Sequence, residues 1–449
     1  MLNHEGADKK QRIANRRTYL KGLGAAGTVL LAGCSGSGGG SGGDDAASET
    51  ESGSGDGDSE ATDGGTMGGD DGTLTIGALQ PFTGGFDWIA SNTKPAYNLA
   101  FSEIEEAGIL GGMSLEANEQ DSATDPQQAL SGLQTLDSAG VPAVIGPSSS
   151  VMPNLIQPIQ NNEVPVNTVM AGTIQLDDTG GEWLWRSVPS DAVGGAAAGK
   201  YAYEDLNHEK MALAYKNDKG SQSFSASVGE AFKSLGGSIV GEVPLPINAS
   251  DYRSEIQELQ QMDVDFVQMT AATEVSGLFM KNYDELGAGE DFNLALGNDV
   301  LTQSFIETTG ADVMEGMIGQ APAAGPANDQ FAASFEEMHG EPPGTFSAAA
   351  YDAANLFALA FQSAGEVSRS VIPEHLPKIA TPPGTEVTTF AEGKEALDNG
   401  DEINYTGASN PQNFDENGNV VGPFNVVQAQ DGEWNPVTTY EASVLQDVY

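Results

Sequence analysis

The chain has 449 residues, and at roughly 150 residues per domain this allows two or three domains. It carries 65 acidic and 18 basic residues, a formal net charge of −47. That leaves no basic face to displace counterions from phosphates, so nucleic acid is excluded as a partner. A single cysteine excludes an internal disulfide framework and a cysteine-clustered zinc or iron–sulfur site. The four histidines are scattered without metal-ligand spacing, so no metal or other cofactor is expected, and no apolar run reaches the roughly 18 residues of a membrane span.

The first 33 residues read as an export signal. Asn15-Arg16-Arg17-Thr18-Tyr19-Leu20-Lys21 has a twin-arginine pattern, and the apolar stretch from Leu23 to Gly33 has the length of a signal h-region. It ends in Leu31-Ala32-Gly33-Cys34, similar to a lipobox, so Cys34 is the expected lipid attachment site. Cys34 also reads as an ordinary buried thiol, but its place at the expected cleavage point favours lipidation. Gly22-Leu23-Gly24-Ala25-Ala26-Gly27 has the letters of a dinucleotide-binding loop without the preceding strand that such a loop needs.

Beyond the signal the chain holds 12 basic and 63 acidic residues, a formal −51. Such a surface repels itself at ordinary ionic strength, whereas at molar salt the Debye length falls to about 3 Å and the repulsion is screened. The acids are spread along the whole chain, which points to a very salty exterior, that of a haloarchaeon. Residues 34–72 are almost entirely Gly, Ser, Asp, Glu, Thr and Ala. They cannot bury enough apolar surface to offset ordering entropy, so they are expected to form a disordered acidic linker that holds the rest some 30–35 Å from its lipid anchor. Gly39-Gly40-Ser41-Gly42-Gly43 fits a nucleophile elbow by letters alone.

From Thr73 onward short β-rich runs alternate with helical stretches. Strands are predicted over 74–79, 113–118, 141–145 and 164–169, with helices over 95–107, 126–138 and 153–161. Asp125 is placed to cap the second of these helices, with Pro126 at its first position. The pattern resumes with helices over 192–206, 223–235, 252–261 and 275–285 between strands over 211–215, 238–243, 266–269 and 293–296. This spacing predicts right-handed parallel βαβ units and an α/β fold of two doubly wound parallel-sheet lobes. Ligands then bind beyond strand carboxyl ends, in a cleft between the lobes.

The loops at those ends offer binding groups. The first strand is followed by a loop that reaches Trp88. Gly146-Pro147-Ser148-Ser149-Ser150 follows another strand, and Ala171-Gly172-Thr173 the next. Hydroxyls and free backbone N–H groups there suit a carboxylate. Gly297-Asn298-Asp299 closes a second-lobe strand, and Asp299 is placed to hold an ammonium. The same serines and Thr173 also read as helix N-caps, and Asp299 as a turn residue. No nucleophile–base–orienter set accompanies them, so no catalytic residue is assigned and binding without chemistry leads.

Taken together, the chain resembles the solute-binding lipoproteins of ABC importers of the branched-chain amino-acid (leucine/isoleucine/valine-binding) type. The resemblance runs from about Leu74 to Asp431. It is carried by Ile76-Gly77-Ala78-Leu79, Glu105-Glu106-Ala107-Gly108-Ile109-Leu110-Gly111-Gly112, Ile145-Gly146-Pro147 with Ser149-Ser150, and Arg186-Ser187-Val188-Pro189-Ser190-Asp191. Gly297-Asn298-Asp299, Tyr351-Asp352-Ala353 and Phe414-Asp415-Glu416-Asn417-Gly418 complete it.

The resemblance implies the type I periplasmic binding fold, with residues 73–190 plus 322–420 as lobe 1 and 191–321 plus 421–449 as lobe 2. Three crossovers near 189–191, 318–322 and 420–424 would form its hinge. It implies that Ser150 and Thr173, with Ser149 and the backbone of Ala171, hold a ligand carboxylate. Asp299 would take the α-ammonium, and Trp88 would pack on the side chain. It implies a monomer on the extracellular face of the membrane, passing an amino acid to permease and ATPase subunits that are other chains. Two departures bear on the ligand: where the family has aromatics, this chain has Gly220 and the run Thr270-Ala271-Ala272-Thr273. Amide and urea-type ligands therefore stay open, as do a ligand-sensing receptor domain and a secreted enzyme. Asn248-Ala249-Ser250 and Asn404-Tyr405-Thr406 fit the N-glycosylation pattern, and residues 382–411 carry no assigned role.

Overall fold

Thr73–Gln80 forms the first strand, β1, and five consecutive residues from Ile76 to Gln80 are buried. Burial without alternation marks a parallel strand covered on both faces. In the computed structural model, which describes residues 72–264 and 266–448, β1 is joined by β2 (Ser114–Asp121), β3 (Val144–Ile145), β4 (Val166–Thr168) and β5 (Leu184–Arg186). The order is β2-β1-β3-β4-β5, and every pairing is parallel. The twin-arginine segment, Cys34 and the acidic linker lie outside the described residues.

One face of this sheet is covered by the helices Asp87–Ala107 and Ser347–Ala364, through Tyr97, Ala100, Ile104, Leu356 and Phe357 among others. The second of these is apolar almost all round, and every residue from Ala349 to Phe361 is buried, as expected of a central helix. The helices Pro126–Ser138 and Met152–Asn161 cover the other face with Ala129, Leu133, Leu136, Leu155 and Ile159. Asp125 caps Pro126–Ser138 as predicted: its Oδ1 accepts the N–H groups of Gln127 and Gln128, both at 2.9 Å. The helix expected from Pro95 instead starts at Asp87. Proline is favoured in a first turn and so drew the predicted boundary, but buried Ile89, Ala90 and Thr93 tie the preceding turns to the core.

The second sheet contains β6 (Lys210–Lys216), β7 (Ser238–Leu245), β8 (Phe266–Thr270), β9 (Asn293–Leu296) and β10 (Ile318–Pro322). All of these pair in parallel. Residues 385–387 and 403–405 form a small separate parallel pair, β11 (Thr385–Val387) and β12 (Ile403–Tyr405). β13 (Phe424–Gln430) and β14 (Glu433–Tyr440) then extend the second sheet as an antiparallel hairpin beside β10. The sequence reading gave no secondary structure to this hairpin.

The first passage between sheets runs from Arg186 to the helix Asp191–Lys200, whose N-cap Ser190 accepts the Ala192 N–H. The other two run side by side. Pro322 pairs with Phe424, and Ala323 N donates to Pro423 O at 2.8 Å.

After β12 the chain wraps around Asp352, a wholly buried carboxylate in the central helix. It accepts bonds from Tyr405 Oη (2.8 Å), Ala408 N (2.7 Å), Ser409 N (2.8 Å), Ser409 Oγ (2.5 Å) and Gln412 Nε2 (3.3 Å). Burial raises the pKa of this carboxyl, and the bonds oppose that rise. The wrapped loop in turn grips two crossovers. Asn410 Nδ2 donates to Ser187 O at 3.0 Å, Gly325 N to Ala408 O at 2.9 Å and Ala327 N to Gly407 O at 3.0 Å. The segment without an assigned role therefore supports the passages between the sheets. Of the two glycosylation patterns, Asn404 is buried in β12, closed to a transferase in the folded chain, whereas Asn248 is exposed.

Candidate functional site

The carboxyl ends of strands from both sheets surround a cavity of about 370 Å³. From the first sheet, the loop after β3 is laid directly against β1. Gly146 has φ 107°, and a Cβ there would stand 2.1 Å from Leu79 O, so only glycine makes this turn. The turn presents Ser148, Ser149 and Ser150 to the cavity, with Ser148 Oγ 2.9 Å from Ser150 Oγ. These serines are not caps: Val151 stands at the cap of Met152–Asn161 and no side chain bonds there.

After β4 it is Gly172 that lines the cavity, and the predicted Ala171 and Thr173 do not. Ala171 is buried among Leu155, Val166 and Leu176 beneath the sheet. Arg186, 1 % exposed, sets the turn: its Nη1 donates to Gly172 O (3.2 Å) and Thr173 O (3.1 Å), while Nη2 pairs with Asp177. Thr173, 6 % exposed, makes no capping bond either. With the backbone held from below, the residue between the two predicted ones faces the cavity.

Trp88 lines the cavity and stacks on Phe346, with centroids 6.2 Å apart and planes at 27°. Sequence reasoning missed Phe346. Its φ of 70° is an outlier for so bulky a residue. The signal was the turn Pro342-Pro343-Gly344 just before it, where a Cβ on Gly344 would strike Asn92 Cγ at 2.5 Å.

The second sheet contributes Gly220, Ser221, Thr270 and the turn Gly297-Asn298-Asp299. Gly220 faces the cavity with room to spare: a Cβ there would approach only Asp218 Oδ1 (3.5 Å) and Ser149 Cβ (4.0 Å). Lys216, at the end of β6, reaches across to the first-sheet loop. Its Nζ lies 4.6 Å from the Phe86 ring centroid and 3.4 Å from Asp218 Oδ2.

The electrostatics are one-sided. Asp191 and Asp299 line the cavity, and no Lys, Arg or His does so among the described residues. Burial lifts the Asp299 carboxyl to about 7, with Asp218 and Asp191 adding to the rise and Lys216 opposing it. Burial also lifts Asp191 to about 6, with Ser223 and Arg186 opposing and Asp177 adding. Sequence reasoning quoted Asp191 in a motif but gave it no role. The cavity therefore joins four predicted residues, Trp88, Ser149, Ser150 and Asp299, and presents hydroxyl donors together with two carboxylates that form no ion pair among the described residues. Among the described residues no group of acids and histidines is arranged to hold a metal ion.

Comparisons with known proteins agree with this architecture. The sequence model of the family described as "Periplasmic binding protein" matches residues 73–433. The leucine-, isoleucine-, valine-, threonine- and alanine-binding protein of Pseudomonas aeruginosa is 24% identical over 309 residues, covering 68% of this chain and 82% of that protein. The crystal structure of a leucine-binding protein, LivK, from Thermotoga maritima superimposes with a TM-score of 0.68 at 20% identity, covering 83% of this chain and all of that one. A solute-binding protein of an ABC transporter from R. palustris, in complex with benzoate, gives a TM-score of 0.68 at 17% identity, covering 82% and 96%. With the family match extending across both sheets and the cavity between them, this chain belongs to the periplasmic binding protein family.

Proposed function

We propose that this chain is the extracytoplasmic solute-binding component of an ABC importer, and that it captures an amino acid in the cavity and delivers it to a permease. One observation carries the reading: Asp299, with no ion pair among the described residues, faces the same cavity as Ser149 and Ser150. A zwitterion fits this pattern, its ammonium at Asp299 and its carboxylate at the serine turn. Its side chain would lie against Trp88 and Phe346. A ligand that touches both lobes, 73–190 plus 322–420 and 191–321 plus 421–449, binds the closed form better and shifts the population toward it. The permease and ATPase are other chains. Calorimetry of the purified protein against the amino acids in molar KCl tests the reading. Micromolar or tighter binding of at least one supports it, and no heat from any defeats it.

The titration of Asp299 gives this binding a pH signature. A protonated carboxyl cannot neutralise an ammonium, so affinity falls about tenfold per pH unit below the Asp299 value of about 7. Kd is therefore expected to rise roughly fiftyfold between pH 7 and pH 5. A Kd independent of pH would remove Asp299 from the ammonium contact. Without ligand the sign is opposite. A carboxyl raised above its unfolded value contributes stability at low pH that is lost as pH climbs through about 7.

The leader supports a further part of the proposal: twin-arginine export, and anchoring through lipid on Cys34 at the outer face of a haloarchaeal membrane. Cys34→Ser is expected to move the protein from the membrane fraction into the medium. Its retention on membranes would count against the anchor.

A further inference from the structure

Within the amino-acid reading just given, on which this rests, two groups in the cavity have no part. The first is Asp191. Its neighbour Arg186 is engaged by Asp177 and by two carbonyls, and Asp191 forms no ion pair among the described residues. Room is made for it: a Cβ on Gly172 would lie 2.3 Å from Asp191 Oδ1, so the carboxylate occupies space that any other residue would fill. The helix it opens is capped by Ser190, so Asp191 is not needed as a cap.

The second is Gln320, on β10. It lines the cavity and is 2 % exposed, yet its Nε2 has no hydrogen-bond partner, and no bond to its amide oxygen is found among the described residues. Gly319 pairs with Leu296, which places Gln320 level with the turn that carries Asp299. A buried amide without partners is costly to keep, and native chains rarely keep one without use.

We infer that Asp191 and Gln320 form a side-chain subsite that selects an amino acid bearing a carboxamide over an aliphatic one. The carboxamide N–H groups would donate to Asp191, and its carbonyl oxygen would accept from the Gln320 amide. An aliphatic side chain would leave the Gln320 amide N–H unpaired and Asp191 with the Ser223 hydroxyl alone. A site built to hydrogen-bond a ligand discriminates strongly against an analogue that lacks the bonding groups.

The test is competition calorimetry on the purified chain in molar KCl at pH 8, with glutamine, asparagine, lysine and leucine. The same panel is run on Asp191→Ala and Gln320→Leu, each checked for folding by its urea midpoint. Glutamine or asparagine is expected to bind at least tenfold tighter than leucine and lysine. Each variant is expected to shrink the carboxamide-to-leucine affinity ratio at least tenfold. If Asp191→Ala does not fold, Gln320→Leu alone decides, because it keeps the side-chain volume. Preference for leucine or lysine overturns the subsite and leaves the amino-acid reading standing, as does a ratio unchanged in the folded variants. Absence of binding by all four overturns the subsite. The wider calorimetric screen against the amino acids then decides separately whether the amino-acid reading fails with it.

Discussion

Asp299→Ala is expected to abolish capture of an amino acid at working concentrations. Among the described residues the cavity lining contains no Lys, Arg or His, so its only ionisable groups are two carboxylates. Removing the acceptor at the turn after β9 leaves the ligand's ammonium enclosed without its direct hydrogen-bonded counter-charge. Leaving one partner of an enclosed charge pair unpaired costs roughly 2–5 kcal/mol, and each 1.4 kcal/mol is tenfold in Kd. The loss should therefore span between about one and a half and three and a half powers of ten. The fold should not suffer: burial has raised the Asp299 pKa to about 7, so ligand-free chain is relieved of a desolvated charge. The expected pair of results is a lost calorimetric signal with an unchanged or higher urea midpoint. Affinity within threefold of the parent would mean that the ammonium lies elsewhere.

Asp352→Ala should have the largest effect on stability. Asp352 accepts five hydrogen bonds from the stretch Tyr405 to Gln412, all within the protein. Its removal orphans two backbone N–H groups and leaves a cavity in a helix whose face is buried all round. Each buried donor left unmatched costs about 1–3 kcal/mol, so a loss of at least about 3 kcal/mol is expected from urea unfolding in molar KCl. Tyr405→Phe removes one of the five and should cost about 1 kcal/mol. Ser409 and Asn410, which this carboxylate holds in place, also line the cavity, so ligand affinity should fall in the same variant. A loss below about 1 kcal/mol would mean that the loop is held by its other contacts.

The alternation of strands and helices made the parallel sheets legible as far as Leu296, except for the short β5, because their periodicity is local. Asp125 was legible for the same reason: a cap and its helix are adjacent in sequence. What failed to show was non-local. The helix Ser347–Ala364 is buried on nearly every side and so has little amphipathic period to read. The hairpin β13–β14 depends on pairing with β10, a hundred residues earlier in the chain. In the site, Ser149, Ser150 and Asp299 line the cavity from turns just after strand ends, whereas Trp88 does so from the first turn of Asp87–Ala107. After β4 it is Gly172, between Ala171 and Thr173, that lines the cavity. The facing of a turn is set by Arg186, and no pattern in the turn itself records that guanidinium. Phe346 and Gln320 were missed because a helix start and a crossover strand bring them in from distant sequence.

Two of the three passages between the lobes are bonded to each other, through Pro322 with Phe424 and Ala323 with Pro423. A bonded ribbon bends readily across its flat face but resists shear within its plane, because shear would break the ladder. Sideways sliding of one sheet past the other would break these bonds, whereas a swing across them would not. Opening of the cavity is then a change of angle between the two sheets.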